Sequence, residues 1–575
     1  MKQVRIGALF AVTAIVFAAC GGAATSTAPT AAPATAAPST GASSAPSVAP
    51  SASTGETPKQ GGTAVVAIPS DIKWTDSALV DDASSTYVMQ NVMETLVTLK
   101  PGSGSDIIGD LADSWTISSD GLTYTFKLHP GIKFSDGTDF NAAAVKFNFD
   151  RWINIPQSYI DLGYTYYIDT VLGHGDKSAI ASTAAPDPNT FVITLKTPNS
   201  GFLVTQTLTP FAIASPKALQ DGDASAPDFK NNKYAQGGPP AMVGTGPFVF
   251  KEWTKGDHVT LTKNPSYWNA SAGGPYLDAI TFKPITDTTA TLNALQSGDI
   301  DVAQTLAPVD VPTVQGDSKL QFYDRGSACN VGVLGMNQTH KPFDNLKIRQ
   351  AVAYAINRQA IVDAYFGTTG VVLKNWTPPG TIFSKDLPVP DYNPDMAKQL
   401  IADSGVTDLS FDMWYPSGVS RPYMPDPKGE FQAIQSDLEA VGFKPNPMTA
   451  PWNPDYLAAE SKGNYPAWLI GWNCDWLGID NFLVTAFFGY HSGAPNPEYA
   501  YKNDAMNQDM NDALAASDQA TQQSKWEAAQ DQIVADMPSV PIVSGKTPAA
   551  GQTYVKGFVP GPTLLELFTD VWLDK

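Results

Sequence analysis

The stretch Leu469-Ile470-Gly471-Trp472-Asn473-Cys474-Asp475-Trp476 places one carboxylate between two indoles at the close of an apolar run. Leu469 and Ile470 read as the end of a buried strand, and Gly471 lets a ligand or another backbone come close. Asp475 then emerges between aromatic faces, a combination suited to a small cationic group. A charge-assisted hydrogen bond there contributes about 1–3 kcal/mol and cation–π contact about 0.5–2 kcal/mol. Asp475 also precedes Trp476-Leu477-Gly478-Ile479 as a helix N-cap would, and on these residues alone both readings stand.

A second group that could do chemistry is Arg421-Pro422-Tyr423, in a Pro- and Gly-rich loop after the aromatic, apolar run Leu409 to Tyr415. A guanidinium is a rigid fork that matches a carboxylate bidentately, which an ammonium cannot do. Arg421 and Asp475 each follow a predicted strand. If those strands share a sheet, both side chains can face a cleft at one edge; the competing readings are a mutual ion pair or two unrelated surface charges. Beyond Cys20, the cysteines are Cys329 and Cys474, and an exported chain with two cysteines is expected to pair them. That bridge closes a loop of about 145 residues, contributes nearly 5 kcal/mol on the chain-entropy model, and fixes the backbone one residue before Asp475. Two buried free thiols are the alternative.

The elements that position these residues can be outlined from composition. At 575 residues the chain is too long for one core. Residues 1–19 carry Lys2 and Arg5 before an apolar run, the layout of a secretory signal peptide and too short for a stable span. From Gly21 to Gln60 the chain is Ala, Ser, Thr, Pro and Gly with only Glu56 and Lys59 charged, which reads as a disordered tether reaching on the order of 35 Å. The net charge of −20 belongs almost wholly to the body after Gly61 and argues against nucleic acid or an anionic membrane surface as partner. Gly61 to Ile68 predicts a first strand. Tyr87 to Leu99 has apolar residues at helical spacing, Asp120-Gly121 between two alternating runs predicts a hairpin over 111–128, and Asn141 to Trp152 predicts an amphipathic helix.

The segment Leu111 to Trp152 resembles the signature segment of the bacterial extracytoplasmic solute-binding proteins of the peptide and nickel type (family 5). Val243-Gly244-Thr245-Gly246-Pro247-Phe248, Asn264-Pro265-Ser266-Tyr267-Trp268, Ala294 to Asp301 and Phe343 to Arg358 continue the resemblance, which covers roughly 62–575. It implies an α/β fold of the two-lobed periplasmic-binding-protein type, with mixed sheets and an additional third domain. Carried onto this chain, the first lobe is 61–109, 241–327 and 540–575, the accessory domain 110–240, and the second lobe 328–539. The family serves importers driven by ATP hydrolysis in a separate subunit, so the implied partners are a peptide ligand, an ABC permease and its ATPase complex, and the chain itself is expected to be a monomer and not an enzyme. Dipeptide-binding members place an Arg in an Arg-Pro-Tyr setting on the ligand carboxylate and an Asp in a Gly-Trp-x-x-Asp setting on its ammonium. Arg421 and Asp475 match these, with Trp472, Asn473, Cys474 and Trp476 lining the same pocket. Ala83, in the loop Asp81-Asp82-Ala83, stands where some oligopeptide-binding relatives touch ligand. Phe17-Ala18-Ala19-Cys20 resembles a bacterial lipobox, with Phe17 a departure from the usual aliphatic residue, and makes Cys20 the lipidation site and the expected membrane anchor.

Other chemistries lack their signatures. Gly545-Lys546-Thr547 ends like a phosphate loop, but Val540 stands where its first glycine belongs, and Gly244-Thr245-Gly246 runs into Pro247. The histidines are scattered without metal-ligand spacing, so no metal and no cofactor are expected. An oligosaccharide, metal-complex or haem receptor on the same architecture is the alternative solute reading, and a surface adhesin or sensor the alternative outside transport.

Overall fold

The computed structural model describes residues 57–575 apart from Ser492 and Leu564. The expected signal peptide, Cys20 and nearly all of the tether lie outside the described residues.

Two large sheets organise the body. The first is seven-stranded and mixed, in spatial order Leu320–Tyr323, Ala549–Gln552, Val302–Ala303, Thr63–Ile68, Ala279–Pro284, His258–Lys263, Phe248–Thr254. Thr63–Ile68, near the described N-terminus, is sealed between parallel neighbours on both sides, Ala279–Pro284 and Val302–Ala303. Ala64, Val66 and Ile68 are its core face, at the alternation a pleat dictates. The second sheet is six-stranded, in order Gly370–Val372, Ser539–Gly545, Asn330–Met336, Ala467–Asn473, Ser410–Ser417, Lys444–Pro451. Its central strand Asn330–Met336 is buried at every position, as a strand covered on both faces must be.

A third, four-stranded antiparallel sheet comprises Ala112–Ile117, Thr123–Leu128, Thr190–Leu195 and Ile180–Asp187. Its first hairpin turns at Asp120-Gly121, where φ is +70° at Gly121 and only a residue without Cβ is unstrained. The helix Ala142–Ile153 covers this sheet. Asn141 caps it by accepting from the Ala144 N–H, and Phe149 seats on Phe191 with ring centroids 5.0 Å apart. The buried apolar side chains of this sheet are continuous with those under the first large sheet, whereas the second large sheet has its own cluster.

Two expectations differ from the structure. The helix expected over 87–99 runs instead over Ala83–Met89, capped by Asp82, and the chain then turns into the strand Val97–Leu99. Val88, Val92, Met93 and Leu96 are all buried, so their spacing reported burial and not helix. Ser539–Gly545 hydrogen-bonds wholly within the six-stranded sheet, against Asn330–Met336 and Gly370–Val372. A division at 539/540 would cut this strand, and the chain leaves the second sheet only after Gly545.

The chain therefore crosses between the large sheets at about 324–329 and again at about 546–548. The crossings are braced against one another: Arg325 Nε donates to the Thr547 carbonyl at 2.9 Å, and Lys546 pairs with Asp324 at 2.9 Å. The Arg325 guanidinium also forms a buried ion pair with Glu566 and donates to the carbonyls of Gly561 and Gln304. The two crossings are thus held to one another and to the first large sheet's own segments by polar contacts.

Candidate functional site

Within the six-stranded sheet, Ser410–Ser417 runs parallel to both of its neighbours, Lys444–Pro451 and Ala467–Asn473. The carboxyl ends of all three strands open on one edge, the position at which open α/β sheets take ligands. Arg421 follows the first, Trp452 the second and Asp475 the third.

Asp475 is positioned covalently as well as by the sheet. Cys474 and Cys329 form a disulfide with Cα atoms 5.3 Å apart, and the Cys474 N–H donates to the Cys329 carbonyl at 2.7 Å. The turn before Asp475 is thus fixed to the first crossing between the sheets. The Asp475 carboxylate accepts from the Tyr167 hydroxyl at 2.8 Å, the Tyr166 hydroxyl at 3.2 Å and Asn481 Nδ2 at 3.0 Å. Its own N–H donates to Asn481 Oδ1 at 3.0 Å. No helix is capped by it; the following helical turn, Asn481–Phe488, is preceded by Asp480. Burial raises the Asp475 pKa from its ordinary value, and the bonds from Asn481, Tyr167 and Tyr166 work against that rise. Both tyrosine hydroxyls are pushed up in turn, by burial first and then by the Asp475 charge.

Arg421 sits in a tight turn, its N–H and carbonyl both bonded to Met424 at 3.0 and 2.9 Å. The turn lies directly on the sheet because glycines of three neighbouring strands admit it. A Cβ at Gly332 would stand 2.7 Å from the Tyr423 carbonyl, one at Gly471 2.4 Å from the Tyr423 ring, and one at Gly545 2.4 Å from the Pro422 carbonyl. The guanidinium rests over the Trp452 ring at 4.8 Å, and its buried Nε has no partner. Among the described residues no hydrogen bond or ion pair is made to it. Arg151, Arg325, Arg349 and Arg358, in contrast, all have partners for their terminal nitrogens: Arg151 on Asp76, though its Nε is likewise without a partner, Arg325 on Glu566, Arg349 and Arg358 on sets of backbone carbonyls. Arg421 and Asp475 follow adjacent strands and are not paired with each other.

The remaining sequence-derived residues divide. Trp472 is half-buried and its Nε1 donates to Asn481 Oδ1 at 3.2 Å, so it helps set the amide that orients Asp475. Asn473 is exposed and ends its strand opposite Asn330. Cys474 takes part through its disulfide and backbone, not as a thiol. Trp476 is buried and turned onto the Asp480 carboxylate at 3.1 Å. Ala83 is the half-buried first residue of its helix, beside Asp82, whose carboxylate accepts from the Ser85 N–H and hydroxyl at 2.9 and 2.7 Å.

Tyr166 and Tyr167 were not singled out in the sequence. Their signal was the run Tyr164-Thr165-Tyr166-Tyr167, an aromatic cluster outside any alternating or helical pattern. Through them the segment preceding the helical turn Ile168–Leu172 reaches the end of a second-sheet strand. The same two parts meet again where the Ser200 N–H donates to the Leu514 carbonyl at 2.9 Å.

Two α/β lobes on a braced double crossing, with the residues at the strand ends of one lobe met by side chains from across the cleft, define a two-lobed binding protein. The chain belongs to the bacterial extracellular solute-binding proteins, family 5, whose middle-region model matches residues 106–494. It is 30% identical to the heme-binding protein A of Haemophilus influenzae over 86% of this chain and 89% of that protein. It is also 30% identical to the glutathione-binding protein GsiB of Pectobacterium atrosepticum, over 89% and 94%. Among solved structures it superposes on the ABC transporter-associated periplasmic binding protein DppA of Helicobacter pylori, in complex with the peptide STSA, with TM-score 0.72 and 27% identity over 90% of this chain and 99% of that one. HbpA2 of Haemophilus parasuis gives TM-score 0.77 and 26% identity over 89% and 100%. The family is one of extracellular solute-binding proteins, and its Helicobacter pylori relative is a periplasmic protein associated with an ABC transporter.

Proposed function

We propose that this chain is the receptor of an ABC importer, anchored through a lipid on Cys20, which captures dipeptides or short oligopeptides between its lobes and delivers them to a membrane permease. The observation that carries the reading is Arg421. A guanidinium stacked on an indole, with a buried and unpartnered Nε, is costly unless something supplies the opposite charge, and a free carboxylate has the matching two-point geometry. Asp475 supplies the other end. An ionised carboxylate has about four acceptor positions; Tyr166, Tyr167 and Asn481 occupy three, and a ligand ammonium takes the fourth. The relatives named for glutathione and peptide support a zwitterionic ligand.

In this reading the first lobe comprises 61–109, 241–327 and the chain after Gly545, the accessory domain 110–240, and the second lobe 328–545. The protein acts as a monomer. Closure brings Tyr166 and Tyr167 onto Asp475, so only a ligand compatible with those contacts stabilises the closed state.

Calorimetric titration of the purified protein with one dipeptide in free, N-acetylated and C-amidated forms tests the proposal. The free form is expected to bind, and each blocked form to bind far more weakly. Equal affinity for all three would overturn the zwitterion reading. A haem ligand is the second reading, favoured by the relative named for heme; a propionate would use Arg421 and leave Asp475 unengaged. Oligosaccharide binding that survives loss of both residues would move the protein to a sugar.

A further inference from the structure

Away from the cleft, the chain just after the helix Ala83–Met89 encloses a cavity of about 70 Å³ whose walls include Gln90, Glu94, Asp110, Thr98 and Thr209. Its chemistry is unbalanced. Glu94 is buried and accepts from the Tyr267 hydroxyl at 3.0 Å and Trp268 Nε1 at 2.8 Å. Asp110 accepts from the Thr95 N–H at 3.0 Å and the Thr95 hydroxyl at 3.4 Å. Every one of these donors is neutral. Among the described residues neither carboxylate has a Lys, Arg or His partner. Gln90, 5% exposed, donates through Nε2 to the Glu566 carbonyl and leaves its buried Oε1 without a partner.

We infer that this cavity is a site for a divalent cation of the Ca²⁺ type, held by the carboxylates of Glu94 and Asp110, the Gln90 amide oxygen and threonine hydroxyls. The donor set is all oxygen, which suits a hard cation. Its two formal negative charges match one divalent ion, and the unpartnered Gln90 oxygen gains a partner. The Glu94 charge helps raise Asp110 well above its ordinary value, and burial does most of the raising for both. A cation reverses both effects. The site lies under the strand Val97–Leu99 and the start of the accessory domain, so an ion there would tie the first lobe to that domain without touching ligand.

The test uses the full chain, stripped with EDTA and dialysed into metal-free buffer. Equilibrium dialysis against CaCl2 should give one Ca²⁺ per chain, with a higher melting temperature than in EDTA and a smaller rise with MgCl2. Asp110→Asn, nearly isosteric, should weaken Ca²⁺ binding on the order of tenfold or more. The proposal is overturned if the native chain retains no Ca²⁺ at millimolar CaCl2, or if Asp110→Asn binds it unchanged. It is equally overturned if NaCl alone reproduces the thermal shift, or if Asp110→Asn stabilises the protein in EDTA while the native chain binds no ion, which would mean that the two acids share a proton.

Discussion

At the scale of single residues, the proposed site sets a guanidinium without an ion-pair partner near a carboxylate held only by neutral donors. Arg421→Ala and Asp475→Ala should each lower peptide affinity by about 3–5 kcal/mol, the range for breaking a buried charge pair, readable by calorimetry. Arg421→Lys should recover little, because an ammonium has neither the fork nor the flat face that lies on Trp452. Tyr167→Phe removes a hydroxyl bond to a charge, about 1.5–3 kcal/mol, from the closed state. Ligand affinity should fall accordingly, and small-angle scattering should show a larger open fraction. The pH dependence follows from the raised Asp475 pKa. In the proposed reading the ionised form is the one that takes an ammonium, so affinity declines as pH falls through a value above the ordinary 3.8. Asp475→Asn should bind more weakly at neutral pH and lose that acid-side decline.

At the scale of elements, position depends on what the strands omit. Gly332, Gly471 and Gly545 present bare backbone to the Arg421–Met424 turn, and Gly471→Ala would drive a methyl into the Tyr423 ring and the Val331 carbonyl. A loss of about 1–3 kcal/mol in denaturant unfolding is expected, the usual range for overpacking, together with weaker ligand binding as the turn lifts. Much of this level was legible in the sequence. The hairpin at Asp120-Gly121, the helix after Asn141 and the strands before Arg421 and Asp475 follow from turn chemistry and periodicity, which are local. The helix expected over 87–99 failed because long-range packing, not helical phase, buries Val92 to Leu96. Tyr166 and Tyr167 were illegible for a related reason: their partner is some three hundred residues away, and no local pattern records a contact made across a cleft. Whether Arg421 and Asp475 would neutralise one another was equally beyond reach, since it depends on where each loop lies over the sheet. The Cys329–Cys474 bridge was readable from compartment and count, and its loss by Cys329→Ala should cost up to about 5 kcal/mol.

At the scale of the whole molecule, stability and order of assembly come to the fore. In the second lobe Glu460 and Glu498 are neighbouring carboxylates, with Trp468 Nε1 donating to Glu460 at 3.2 Å and Asn496 to Glu498 at 3.3 Å. Burial, and for Glu460 also the neighbouring Glu498 charge, raises both pKa values. A folded pKa above the unfolded one contributes stability below the unfolded value, and that contribution is lost as pH rises through the folded value. Native protein should therefore weaken from mildly acidic toward alkaline pH by about 1.4 kcal/mol for each pKa unit of the rise. Glu460→Gln should flatten that slope and melt higher than the native chain at pH 8.

The spatial order of the seven-stranded sheet has a temporal meaning. Ala549–Gln552 is an interior strand, between Leu320–Tyr323 and Val302–Ala303. A chain emerging from its amino end can finish the six-stranded sheet once Gly545 is out, while the sheet begun at Thr63 still has a gap beside its edge strand Leu320–Tyr323. The part made first must wait for the part made last, so a chain cut short near its carboxyl end would carry a complete second lobe and an unfinished first one.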